Sequence, residues 1–194
     1  MEKSTTLELL ITQRRSVKPA NMSGRKIADN VVHHLLELAD WAPTHGYTEP
    51  WYFVVYSGDK VKEFCTQHAE LYKANTPADK FMQGNYEKLL LQGDKASHII
   101  VACMKRGDNP KIPEIEEVEA VACAVQNLLL AATAYDLASF WSSGGMTYSP
   151  ALHNYLELGP ADKVLGLLYL GYPAEELPVG RRIKPLTEKV KWVQ

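Results

Sequence analysis

The chain has 194 residues. Chains of about 150–200 residues usually form one domain with one substantial core, so a single domain spanning residues 1–194 is expected. Its 21 Lys and Arg against 23 Asp and Glu give a formal charge of −2, which excludes a global field drawing it to nucleic acid or an anionic membrane; any anion site must be local.

Glu2, Lys3 and Glu8 surround the first apolar residues, unlike a secretory signal. Cys65, Cys103 and Cys123 lie far apart in apolar contexts with no CxxC, the usage of reduced core thiols in a cytosolic protein. The longest apolar run, VACAVQNLLLAATA, is too short for a bilayer and contains Gln126 and Asn127. A cytoplasmic location without membrane insertion is expected.

In chain order, Leu7, Leu10 and Ile11 mark a helix that gives way to Arg14, Arg15, Ser16 and Lys18 before Pro19 stops it. Residues 29–41 place Val32, Leu35, Leu36 and Ala39 at i, i+3, i+4 and i+7, an amphipathic helix with Asp29 as cap and Pro43 beyond its end. WYFVVYS, 51–57, is aromatic and β-branched without polar alternation, the pattern of a central strand covered on both faces. Residues 59–73 read as helix, and 77–95 as helix in two pieces interrupted at Gly84.

HIIVACM, 98–104, reads as a second buried strand, followed by a loop over 105–113. The helix over 114–135 opens with Glu114, Glu116 and Glu117, suited to the positive helix N-terminus. It then turns apolar or small nearly all round, which predicts burial on every side, in part against a partner subunit. A short strand over 138–141 leads into Ser142, Ser143, Gly144 and Gly145; a compact helix follows with Ser149 as N-cap, Pro150 in its first turn and Gly159 as terminator. The strand over 164–171 is the last regular element. From about Tyr172 the chain, with Pro173, Pro178 and Pro185, is expected to be extended and to wrap something. Alternating helices and buried strands predict a sheet between helix layers.

Three clusters carry candidate chemistry. Arg14, Arg15, Ser16 and Lys18 fit the negative end of a helix dipole, or a phosphate site in which Arg supplies a planar fork, Ser a hydroxyl and Lys a point charge. A second basic group, Arg181, Arg182 and Lys184, lies in the tail. WAPTHGYTEPW, 41–51, places His45 and Tyr47 outside any apolar pattern, and FWSSGG, 140–145, follows a strand with adjacent glycines that permit close backbone approach to a planar ligand. No GxGxxG, GxxxxGK[ST], HExxH or GxSxG occurs. Cys65 and His68 share a helix face but lack a second pair for zinc.

RRSVK after an N-terminal helix, APTHGYTEPW before the first strand, WSSGG after the long helix and KVLGLLYLGYP near the end, in that order, resemble the nitroreductase family of flavoproteins, in its small compact branch. The resemblance implies an α+β fold, a three-layer α-β-α sandwich with a central mixed sheet, in an intertwined homodimer holding FMN in two interfacial pockets. It implies that Arg14 and Ser16 bind the FMN phosphate with Arg15 beside them, and that Lys18 approaches the flavin N1 and C2 carbonyl edge. There a cation stabilises the charge of the reduced ring. It further implies that His45 reaches the cofactor from the partner chain, that Trp141, Ser143 and Gly144 face the isoalloxazine, and that Arg182 and Lys184 approach the phosphate.

The activity implied is transfer of hydride from NAD(P)H through flavin N5 to nitroaromatic, quinone or related small-molecule acceptors, with no catalytic side chain or metal required. The alternatives are a specialised flavin reaction, dehalogenation or desaturation, or a flavin-binding module without turnover. Glu49 and Tyr47, where the family carries other residues, favour the last.

Overall fold

The apolar runs β2 (His98–Met104) and β4 (Lys163–Gly171) lie side by side in the middle of a four-stranded sheet, with β1 (Trp51–Tyr56) and β3 (Ala138–Ser142) at its edges. The structure is a computed structural model and describes residues 2–194. The strand order is β1-β2-β4-β3 and every neighbouring pair is antiparallel. The expected mixed sheet is therefore corrected: the only parallel pairing among the described residues is an isolated bridge between Ser16 and Ser139.

Among the described residues, six helices surround the sheet: α1 (Lys3–Gln13), α2 (Asp29–Ala39), α3 (Asp59–Asn75), α4 (Gln83–Leu91), α5 (Glu114–Ala134) and α6 (Pro150–Tyr155). Alternation along the strands supplies two cores. Ile100, Ala102 and Met104 of β2 with Leu168 and Leu170 of β4 meet Val32 and Leu35 of α2 and Val121, Val125 and Leu128 of α5. On the other face Ile99, Val101, Leu167 and Tyr169 meet Val61 and Phe64 of α3 and Leu152 of α6. The result is the expected three-layer α+β arrangement.

The local differences have physical causes. Helix α1 stops at Gln13, well before Pro19, because Arg14 turns extended at φ −54° and ψ 126° and the chain is drawn alongside β3. Strand β1 is an edge strand whose Tyr52 and Val55 are exposed, so it is not covered on both faces. Residues Pro77–Lys80 form a single turn, and Gly84 is accommodated in the first turn of one helix, α4. Asp29 does not cap α2; its carboxylate faces the buried His98, 2.9 Å from Nε2. Ser149 does cap α6, accepting from Leu152 N, but Glu157 at φ 54° takes the left-handed position after the helix in place of Gly159.

Helix α5 buries one stripe, including Ala120, Ala124 and Leu128, and leaves Ile115 and Cys123 exposed, so burial on every side does not hold within one chain. Its 21 residues are long and apolar enough to cross a membrane, unlike the shorter run read from sequence, but the buried stripe packs on the sheet. Glu117 in its first turn is buried against Arg106, whose Nη1 donates to it and whose Nη2 donates to Ile112 O.

Helix α1 buries no residue, and Leu7 and Ile11 face outward. Residues 181–194 are exposed throughout, Trp192 at 84 %. Apolar side chains in that number on an extended tail are stable in water only when another surface covers them. If a second copy of the chain is that surface, truncation at residue 180 leaves the sheet and both cores intact by circular dichroism while lowering the apparent mass in sedimentation velocity towards that of a single chain; an apparent oligomeric state equal to that of the full chain would contradict this.

Candidate functional site

The segment after α1 is fixed to the sheet by its backbone. Val17 N donates to Ser139 O at 2.8 Å, and the Val17 side chain is buried against the α3 face of the sheet. Extended residues alternate in direction, so burying Val17 leaves Ser16 and Lys18 exposed on the other side. Asn21 N then donates to Lys18 O at 2.8 Å, closing a tight turn that begins at Pro19, and Lys95 Nζ donates to Ala20 O. Lys18 thus has a fixed backbone and, among the described residues, an ammonium without a hydrogen-bond or ion-pair partner.

The end of β3 and the loop after it, residues 141–145 together, take a shape that depends on their neighbours. Opposite it, β4 contains a bulge: Ala102 pairs with Gly166 and Cys103 with Val164, leaving Leu165 unpaired. The Trp141 indole lies across β4 at this point and its Nε1 donates to Leu165 O at 3.1 Å. Only glycine allows this, since a Cβ on residue 166 would sit 2.0 Å from Trp141 Nε1. Ser142 Oγ accepts from Gly144 N at 3.3 Å, and Thr147 Oγ1 donates to Gly144 O at 2.6 Å.

His68, from α3, holds the far side of the loop. Its Nε2 accepts a hydrogen bond from Met146 N at 2.8 Å. A Cβ on Gly145, which has φ +65°, would lie 2.7 Å from the same nitrogen, so glycine is required there both for conformation and for space. His68 is 2 % exposed, and burial lowers its pKa from 6.5 to about 4, which keeps Nε2 free to accept. In sequence this residue drew notice only as an unpromising zinc ligand; its role depends on a contact 78 residues away.

Between these two segments and α4 lies a cavity of about 760 Å³. It brings together four of the residues singled out in the sequence, Lys18, Trp141, Ser143 and Gly144. Four that were missed also line it: Tyr72 from α3, and Asn85, Lys88 and Gln92 from α4 and its end. No aspartate or glutamate lines the cavity, so a chain of net negative charge presents an electropositive pocket. The α4 residues recur at helical spacing, but a polar helix face reads as solvated from sequence alone.

The other residues singled out lie elsewhere. Arg14 is half-buried and Ser16 exposed at the approach to Lys18, and neither lines the cavity. Arg15 is engaged in the fold: Nε donates to Pro178 O at 2.9 Å and Nη1 to Thr12 O and Arg14 O, which pins the start of the tail. His45 does not line the cavity; its Nδ1 is 2.5 Å from Glu116 Oε2 at the start of α5, in a turn where Gly46, Tyr47 and Glu49 all have positive φ. Arg182 and Lys184 are exposed in the tail, and among the described residues Arg182 Nη1 donates only to Arg181 O.

Two outcomes follow from the loop's supports. Gly166→Ala is expected to lower stability by about 1–3 kcal/mol, the cost of overpacking against a fixed ring, measured by chemical denaturation; an unchanged midpoint would contradict the crossing of Trp141 over β4. For His68 the folded state disfavours a proton that the unfolded chain accepts. The penalty is absent above about pH 6.5, grows as pH falls, and is complete below about 4. It amounts to at most roughly 3 kcal/mol, and His68→Gln is expected to flatten the stability–pH curve over that interval. Parallel curves for the two proteins would contradict the assignment.

The sequence profile of the Nitroreductase family matches residues 11–172. YdjA of Escherichia coli K12, named as an NAD(P)H nitroreductase, is 29% identical over 167 residues, 86% of this chain and 87% of that protein. Iodotyrosine deiodinase of Hydra vulgaris is 26% identical over 210 residues, 97% of this chain and 73% of that protein. Among solved structures, a nitroreductase-like family protein from Bacillus cereus matches with a TM-score of 0.84 and 25% identity over 100% of this chain and 99% of its own. A protein from Desulfovibrio desulfuricans named as a nitroreductase, in complex with FMN, matches with a TM-score of 0.73 and 25% identity over 97% and 96%. The order of the motifs, the layered fold and the profile match over most of the chain agree: this protein belongs to the nitroreductase family.

Proposed function

We propose that the chain is an FMN-dependent NAD(P)H oxidoreductase that reduces nitroaromatic, quinone or related electrophilic acceptors, and that it works as a homodimer. The observation that supports this most strongly is the convergence of Lys18 with the Trp141–Gly145 loop on one cavity. A volume of about 760 Å³ lies inside the range of roughly 300–1,000 Å³ common for cofactor pockets. A glycine-containing loop, an aromatic wall and cations without carboxylates suit a ligand that is planar at one end and anionic at the other.

Bound FMN would supply the redox chemistry, taking hydride from NAD(P)H and returning it to the acceptor. Arg14 and Ser16 would hold the phosphate through charge-assisted hydrogen bonds from a guanidinium and a hydroxyl. Lys18, two residues on, would place its ammonium at the flavin edge where negative charge develops on reduction. Trp141, Ser143 and Gly144 would set the plane of the ring, held by the Gly166 crossing and the His68 bond. For a nitro acceptor, one hydride and one proton convert the group to nitroso and release water, and solvent at the cavity mouth suffices as proton source. His45 would enter this account from the second copy, and Arg182 and Lys184 would approach the phosphate from the tail; in one chain none of the three lines the cavity.

A second reading keeps the flavin but assigns reductive dehalogenation, and the likeness to a protein named iodotyrosine deiodinase favours it. Anaerobic mixing of the purified protein with NADH or NADPH separates the readings: bleaching of the flavin bands within seconds, followed by turnover with a quinone or nitroaromatic, is expected, whereas a bound flavin that neither nicotinamide reduces would overturn the proposal. Arg14→Ala is expected to weaken FMN binding at least roughly tenfold more than Lys18→Ala, as loss of a charge-assisted phosphate contact requires. Equal losses in a fluorescence titration would contradict this division of roles.

A further inference from the structure

With Lys18 assigned to the flavin edge, one cation of the cavity remains without a role. Lys88 lines the cavity from α4 and forms no ion pair or side-chain hydrogen bond among the described residues. Asn85, Lys88 and Gln92 stand at i, i+3 and i+7, so they share one helix face, and all three line the cavity. The acidic neighbours are turned elsewhere: Glu87 accepts from Gln83 Nε2 at 2.9 Å, and Glu70 accepts from Tyr86 OH at 2.5 Å. The helix itself is held in place, because Tyr72 OH accepts from Met82 N at 3.0 Å just before α4 begins and Leu89 is buried against Ala69 and Tyr72.

We propose that Lys88, flanked by the amides of Asn85 and Gln92, is a second anion subsite in the cavity and makes the enzyme select planar aromatic acceptors that carry a carboxylate. The proposal rests on the flavin reading above. An ammonium and two amide groups on one face match the oxygens of a carboxylate, Asn85 Nδ2 keeping a second N–H beside the one it directs to Met82 Sδ at 3.6 Å, while Tyr72, Leu89 and Phe140 provide apolar wall for an attached ring. The partial enclosure of the cavity raises the effective strength of the charge. The 2′-phosphate of NADPH shares the oxyanion chemistry, and the kinetic test separates the two sources.

The test uses the FMN-loaded enzyme and compares kcat/KM for 4-nitrobenzoate and its neutral isostere 4-nitrobenzamide, with NADH and with NADPH, in wild type, Lys88→Ala and Lys88→Arg. Alanine is a good helix former, so the exposed α4 position tolerates it. The wild type is expected to prefer 4-nitrobenzoate by about tenfold, mainly through KM. Lys88→Ala is expected to abolish that preference while changing 4-nitrobenzamide reduction less than about twofold, and Lys88→Arg to restore part of it. Equal use of the two acceptors by the wild type, or equal losses for both in Lys88→Ala, would overturn the proposal. So would a Lys88→Ala defect confined to the KM for NADPH, which would assign the ammonium to the nicotinamide. Flavin absorbance in the same samples distinguishes the failures: a missing preference with FMN bound and 4-nitrobenzamide reduced overturns the Lys88 subsite alone, and a protein that binds no FMN overturns the oxidoreductase reading with it.

Discussion

One backbone hydrogen bond, from Val17 N to Ser139 O at 2.8 Å, aligns the cationic segment after α1 with the strand that ends in the glycine loop. Without it Arg14, Ser16 and Lys18 would be residues beyond the end of an exposed helix, with no fixed relation to anything. With it, burial of Val17 on the sheet forces the alternating neighbours outward and sets the distance from Lys18 to Trp141–Gly145. The same segment is then tied to the end of β4: Ser23 N donates to Tyr172 O, Ala174 N donates to Asn21 O, and the Arg25 guanidinium lies 3.3 Å from the centre of the Tyr172 ring. The pocket is thus assembled from chain segments more than a hundred residues apart, each held by backbone groups on the rigid sheet.

The loop side is fixed by different means. A bulge in β4 frees the Leu165 carbonyl for the Trp141 indole, and the absence of a side chain at Gly166 lets the ring cross the strand. His68 supplies an acceptor for the Met146 amide from a site too buried to hold a proton near neutrality. These supports leave Ser143 and Gly144 lining the cavity while Gly144 N, Gly144 O and Met146 N are held by Ser142, Thr147 and His68. That is the arrangement a planar cofactor needs, since orientation must be set before it binds.

The elements themselves were legible because their patterns are strong: β2 over 98–104, the i, i+3, i+4, i+7 set in α2, and Ser149 before Pro150 all appear where the residues place them. What sequence did not carry was lateral order. WYFVVY is as apolar as a central strand, yet it lies at an edge, because covering of its outer face is decided by which strands pair rather than by its own composition. The cation cluster was legible as a candidate anion site only together with the ordered motifs, and Arg15 shows the limit, since its side chain serves the tail instead. Lys88 and His68 were not legible: one looks like any exposed helix charge and the other like any core histidine until the fold shows what each faces.

Apolar side chains on α1 and the tail, among them Leu7, Ile11 and Trp192, remain exposed in one chain. The central claim, that residues around Val17 and the loop after β3 form two walls of one flavin pocket, is tested most directly by amide hydrogen exchange of apo-protein before and after addition of FMN. The account predicts that exchange slows together in residues 14–20 and 141–146; protection confined to one of these segments, or falling elsewhere in the chain, would contradict it.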